Sequence, residues 1–156
     1  MADGTRFKAR PTTYNGIEMR SRLEAKYAAW LDRVNIRWTY EPKCYASEAG
    51  QYLPDFELHG VHLLGVERTV FVEVKPTVAA VGGKATALNW CEILWATHPG
   101  AFLLIEVAAV HSPVVFTPAM LGRGFSYRGA WVKHLGPQGA RTDLALTVTT
   151  TWREVA

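Results

Sequence analysis

Glu73 and Lys75, two residues apart in the run Thr69 to Lys75, are the first side chains to which chemistry can be attached. In an extended strand, residues two apart share a face. Glu73 and Lys75 therefore project together, while Val72 and Val74 point the other way into a core. A carboxylate and an amine at the end of an apolar strand need partners, because burying either one unpaired is costly. Pro54-Asp55 opens another extended segment able to pair beside that strand, which would bring Asp55 to Glu73. Two close carboxylates repel unless a cation sits between them. Magnesium, for which manganese can substitute, favours carboxylate oxygens together with water and phosphate. Such a site can activate a water and stabilise charge on a phosphodiester in transit. Lys75 beside it would acidify the attacking water or stabilise the developing charge. Glu24, one residue past Leu23 at the edge of an apolar stripe, is placed to complete a second metal position.

The elements that must position these residues follow from periodicity. Met19, Leu23, Tyr27, Trp30, Leu31 and Val34 recur at three- and four-residue spacing and predict a helix from Glu18 to Val34, stopped at Asn35. Ile36 to Tyr40 reads as a strand ended by Glu41-Pro42, and Tyr52 to Leu58 as a second strand after the turn-like stretch Ser47 to Gly50. Thr69 to Lys75 is the clearest strand, stopped by Pro76. Gly82-Gly83 opens a second helix, Lys84 to Thr97, closed by Pro99-Gly100. Ala101 to Ala108 reads as a buried strand, Phe125 to Leu135 as a short strand or hairpin, and Leu144 to Trp152 as a strand. The order predicts an α/β fold, a mixed sheet with helices against it.

The 156 residues fit one domain, with a loose basic arm over about residues 1–15. No apolar run approaches the roughly 20 residues of a membrane helix, and the first residues lack the apolar segment of a secretory signal. Cys44 and Cys91 lie far apart with no pairing or zinc pattern, as expected of reduced thiols in a cytoplasm. Charge is unevenly spread. Residues 1–43 carry nine basic and five acidic side chains, residues 44–122 three and seven, and residues 123–156 five and two. An acidic middle between basic flanks suits a protein that gathers cations centrally and holds a polyanion at its edges, although chance scatter of surface charge gives the same counts.

The strings Arg22-Leu23-Glu24-Ala25, Tyr40-Glu41-Pro42, Tyr52-Leu53-Pro54-Asp55-Phe56 and Phe71-Val72-Glu73-Val74-Lys75 together resemble the PD-(D/E)XK nuclease superfamily. Among its members the chain is most similar to phage Holliday-junction resolvases of the endonuclease I type. It shares parts with the nuclease subunit of Tn7-like transposases and with very-short-patch repair nickases. The resemblance covers about residues 17–108 and leaves residues 109–156 unassigned. It implies a restriction-endonuclease-like mixed β-sheet flanked by helices. It further implies catalysis by Glu24, Asp55, Glu73 and Lys75, metal ligation by Asp55, Glu73 and the Val74 backbone carbonyl, DNA as partner, and a homodimer able to make paired cuts. Pro76 directly after Lys75 is closer to the transposase subunit than to resolvases, and the segment between Asp55 and Glu73 is longer than the minimum. The small size fits a phage or mobile-element protein. A strand-nicking or end-cutting nuclease, an RNA nuclease and a non-catalytic DNA-binding module on the same fold are the competing readings.

Arg20, Arg22 and Lys26 flank Glu24 and are candidate phosphate contacts, or else a solvated helix face. Lys84 would add to the dipole at the start of the second helix. His59 and His62 read as a hairpin surface before a metal pair, since no third ligand is near in sequence. His98, His111 and His134 read as structural. Trp30, Trp90 and Trp95 fall on helical apolar faces, and Trp131 and Trp152 are candidates for packing or for stacking on unpaired bases.

Overall fold

The computed structural model describes residues 9–63, 66–77, 79–107, 113–116, 126–136 and 139–149. It is a mixed α/β structure with two α-helices. The described residues open with a hairpin, β1 (Thr12–Tyr14) and β2 (Ile17–Met19), so Glu18 and Met19 lie in a strand and not in the expected helix; Asn15 and Gly16, both at positive φ, close it. Asn-Gly is the favoured pair for a tight hairpin turn, and it overrides the helical spacing that seemed to begin at Glu18. Helix α1 is therefore shorter than the stripe implies, Arg22–Arg33. Its cap is Ser21, whose hydroxyl accepts the Glu24 N–H at 3.1 Å. Asn35, at φ 59°, turns the chain out of the helix where expected.

After α1 come β3 (Arg37–Tyr40), the ribbon β4 (Tyr45–Ser47) and β5 (Gly50–Tyr52), and β6 (Phe56–His59). The expected single strand from Tyr52 to Leu58 is thus two strands in two sheets. Pro54 has no N–H to give a ladder, so pairing breaks there. A small hairpin follows, β7 (His62–Leu63) and β8 (Val66–Glu67), then β9 (Val70–Lys75), a 3-10 turn at Ala79–Val81, α2 (Lys84–Thr97), β10 (Phe102–Val107), β11 (Val114–Phe116) and the long pair β12 (Ser126–Gly136) and β13 (Gly139–Thr149).

The main sheet runs β3-β6-β9-β10-β11-β12-β13-β7-β8. β9 and β10 are parallel and joined by the crossover through α2, whereas β3, β6 and β9, and β10 with β11, are antiparallel. A parallel pair at the centre of a sheet is covered on both faces, and β9 is. Val70, Val72 and Val74 pack with Ala25, Tyr27, Ala28 and Leu31 of α1. Phe71 packs on the other face with Ala87, Cys91 and Leu94 of α2. Glu73 and Lys75, on the Phe71 face, therefore emerge beneath α2. No helix among the described residues is long and apolar enough to cross a membrane.

Candidate active site

Register brings the carboxylates together. β6 and β9 pair Phe56 with Val72, which carries Asp55 to the level of Glu73. The Asp55 backbone N–H donates to Val72 O at 3.1 Å, and its carbonyl accepts the Glu41 N–H at 2.8 Å. The Asp55 side chain then takes over where the ladder ends: Oδ2 accepts the Val74 N–H at 2.8 Å. In an extended strand the N–H and C=O of one residue point to the same side, so the Val74 carbonyl also faces the Asp55 side. Asp55 is 2% exposed and Glu73 6%.

Each carboxylate has definite company. Glu73 Oε2 accepts the Tyr52 hydroxyl at 2.6 Å, and Glu73 Oε1 lies 3.1 Å from Lys75 Nζ. Tyr52 stacks on Trp90 of α2 with centroids 5.1 Å apart, and Lys75 Nζ sits 5.7 Å from the same indole centroid. Trp90 thus covers the Glu73–Lys75 pair from the α2 side. Asp55 Oδ1 accepts from Arg20 Nη2 at 2.8 Å, and Arg20 Nε lies 2.6 Å from Glu41 Oε1. Glu24 Oε2 accepts the Tyr40 hydroxyl at 2.5 Å, and that hydroxyl in turn accepts the Arg20 N–H at 3.0 Å.

The electrostatics follow. Burial, then the Glu73 charge, then that of Glu24 push the Asp55 carboxyl up to about 8, against the opposing pull of the Val74 N–H and Arg20. Burial and Glu73 also raise the Tyr52 phenol well above its ordinary value, so it remains a donor. For Arg20, burial works against the charge, but the Tyr40 hydroxyl and the carboxylates of Asp55, Glu41 and Glu24 outweigh it and hold the guanidinium charged. When all are ionised, four carboxylates (Glu24, Glu41, Asp55, Glu73) face two cations (Arg20, Lys75). A divalent cation would neutralise the excess. Carboxylate and peptide-carbonyl oxygens are the ligands that a hard dication takes, so the donor set fits magnesium or manganese. Among the described residues no group of three or more His, Cys, Asp and Glu side chains is placed to hold an ion. The candidate ligand set is accordingly Asp55, Glu73 and the Val74 carbonyl, with Glu24 turned to Tyr40.

Of the other expected residues, Arg22 and Lys26 are exposed on α1. Arg20 precedes the helix and reaches into the cluster, bound to carboxylates. The side chains of Lys84, Trp131 and His134 lie outside what the structure describes, as do Trp152 and His111 altogether. His59 and His62 are each engaged separately, His59 Nε2 with the Thr39 hydroxyl at 2.8 Å and His62 Nδ1 with the Gly60 carbonyl at 3.2 Å. Both cysteines are free thiols. Tyr52, Tyr40, Glu41 and Trp90 are site residues to which sequence reasoning gave no role. Tyr40-Glu41 and Tyr52 stand inside the strings quoted above, and that proximity was the available signal. Clefts lined by Asp32, Arg37 and Trp38 and by Glu57, His59, Glu67 and Arg68 lie at the other end of β9.

No protein-family model, no curated protein and no solved structure matches the chain.

Proposed function

We propose that the chain is a metal-dependent nuclease of the PD-(D/E)XK type, with a restriction-endonuclease-like sheet, that hydrolyses DNA phosphodiester bonds. One observation carries the reading: at the end of β9, Asp55 and Glu73 meet, Asp55 clamped on the Val74 N–H and Glu73 held between Tyr52 and Lys75. Asp55, Glu73 and the Val74 carbonyl would hold magnesium or manganese. When bound, such an ion supplies Lewis-acid polarisation of the phosphate and a water acidified for attack.

The rest of the chemistry belongs to the chain. Tyr52 fixes the Glu73 carboxylate in one orientation, and Trp90 keeps that hydroxyl dry. Lys75, 26% exposed, presents its ammonium at the mouth of the site. There it aligns the attacking water or stabilises charge on the phosphate in transit. Glu24, tied through Tyr40 to the Arg20 backbone, positions the α1 side of the cluster. Arg22 and Lys26 offer cations to neighbouring phosphates.

The preferred substrate in this reading is branched DNA, cut symmetrically by a homodimer. A cleavage assay on a four-way junction, matched linear duplex, single-stranded DNA and RNA, with magnesium, manganese or chelator, tests it. Metal-dependent cutting that favours the junction is expected. Cutting of linear duplex with equal ease would point to a nicking or end-cutting nuclease, the reading that Pro76 favours. Binding of DNA without cutting under any metal would leave a non-catalytic module.

A further inference from the structure

Arg20 holds the Asp55 oxygen that a metal ion would need. Oδ2 is committed to the Val74 N–H at 2.8 Å, and Oδ1 accepts from Arg20 Nη2 at 2.8 Å. Magnesium sits about 2.0–2.1 Å from a carboxylate oxygen. Ion and guanidinium on the same oxygen would place like charges within a few ångström, in a site where burial leaves little water to screen them.

The side chain is also built to let go without losing its place. Its backbone N–H is anchored on the Tyr40 hydroxyl at 3.0 Å, and its Nε lies 2.6 Å from Glu41 Oε1. The side chain is 57% exposed, so nothing encloses the guanidinium. Release of Asp55 leaves the Glu41 contact as a pivot and frees the Nη2 edge.

We infer that Arg20 is an ion-operated switch: it is the counter-cation of Asp55 in the metal-free protein, and a divalent cation displaces it to grip a DNA phosphate beside the cut. This rests on the metal-dependent nuclease reading and adds to it a link between metal uptake and phosphate binding. Without an ion, the guanidinium offsets the repulsion of Asp55 by Glu73 and Glu24. With an ion at Oδ1 that offset is redundant, and a planar fork of donors matches phosphate better than it matches a carboxylate already shared. Metal and DNA then bind with positive coupling, which must be reciprocal.

Arg20→Gln removes the charge at similar length, and Arg20→Lys keeps the charge without the fork. Calorimetric titration of each protein with manganese chloride, without DNA, gives the first readout. Arg20→Gln should bind manganese about fivefold tighter, the upper end of what one partly exposed ion pair carries, and Arg20→Lys should fall between it and the wild type. The second readout is the salt dependence of binding to a short linear duplex, in calcium and in chelator. In calcium the Arg20→Gln slope should be shallower than wild type by about 0.9, one phosphate contact. In chelator the two slopes should coincide, because Arg20 is then on Asp55. Equal or weaker manganese binding by Arg20→Gln would make Arg20 a fixed support of Asp55 and overturn the switch while leaving the nuclease reading in place. So would slopes that differ equally in both conditions. A wild-type protein that takes up no manganese would remove the nuclease reading itself, and the switch with it.

Discussion

Glu73 and Glu106 lie on neighbouring parallel strands, both buried, and each accepts a hydrogen bond from a tyrosine. The register sets Glu73 opposite Ile105 and Glu106 opposite Val74, so the two carboxylates face opposite sides of the sheet. Glu73 meets Tyr52 at 2.6 Å under α2, and Glu106 meets Tyr27 of α1 at 3.3 Å. Burial and Glu106 raise the Tyr27 phenol well above its ordinary value, as burial and Glu73 raise that of Tyr52. The local chemistry is nearly the same. The case for a site at Glu73 rests on its further neighbours. Glu73 has a second buried carboxylate, Asp55, across the strand register and an ammonium, Lys75, on its own strand. A buried acid that accepts from a tyrosine is therefore not in itself a sign of a site. A buried acid whose neighbour is another acid is, because the pair is unstable until something cationic joins it.

The comparison breaks most easily at the carboxylates. Asp55→Asn and Glu73→Gln should each abolish metal-dependent cleavage while DNA binding persists. Glu106→Gln should retain wild-type turnover. Single-turnover cleavage, with a gel shift in calcium for binding, measures both. Loss of turnover in Glu106→Gln with an unchanged melting profile would place that residue in the chemistry and erase the distinction. Lys75→Ala comes next: cleavage should drop roughly 100-fold, the cost of one preorganised electrostatic donor. Calorimetric metal binding should survive, since the ammonium contacts Glu73 and is not a ligand. Loss of metal binding would reassign Lys75 to holding Glu73 in place.

A third, smaller effect concerns stability. Asp55 is raised from an ordinary 3.8 to about 8 in the fold. Between those values the folded state binds more protons than the unfolded one, so stability must fall as pH rises through that window. In chelator, wild-type protein should lose melting temperature from about pH 4 to pH 8, and Asp55→Asn should lose less of it. At the alkaline end the variant should melt higher, by about 2–4 °C for each kcal/mol of repulsion relieved in a chain of this size. Magnesium should raise the wild-type melt and leave Asp55→Asn unmoved. A wild-type melt independent of pH would show that Arg20 and the Val74 N–H already neutralise Asp55.

The parts of this site that were legible in sequence are those fixed by strand geometry. Glu73 and Lys75 share a face because β9 is extended, and Val70, Val72 and Val74 mark the opposite face. The helix α2 was readable end to end, since Gly83 and Pro99 bracket it. The N-terminal hairpin was missed because Met19 sits four residues before Leu23 and so continues the stripe of α1. The Asn15-Gly16 turn and the Ser21 cap were the stronger local signals. The residues that hold the acids were not legible, for a different reason. Arg20 and Asp55 are 35 residues apart, and Tyr52 and Glu73 are 21 apart. Nothing in local spacing says that the arginine ahead of a helix turns to a carboxylate and not to solvent. Tyr52, on the ribbon of β4 and β5, reaches Glu73 through tertiary packing with Phe71 of β9 and Cys91 of α2.

The two tyrosines give the subtlest test of the comparison. Tyr27→Phe and Tyr52→Phe delete the same atom, each a donor to one buried glutamate. For Tyr27→Phe the expected change is a loss of about 1 kcal/mol of stability, the usual worth of a neutral donor, and its 3.3 Å bond gives no reason to expect more. Turnover should not change, because the proposed chemistry does not use Glu106. Tyr52→Phe should lose at least as much stability, since its bond is 2.6 Å. It should also cut more slowly, because Glu73 can then rotate away from Asp55 and toward Lys75. Denaturant titration of the two variants, paired with single-turnover cleavage at saturating and at limiting magnesium, separates the effects. The Tyr52→Phe defect should be larger at limiting magnesium, where a loosely held ligand matters most. Equal turnover in both variants at both metal concentrations would mean that Glu73 needs no orienting hydroxyl. The tyrosine–glutamate pairs would then be two instances of one packing device, and only Asp55 and Lys75 would distinguish the site.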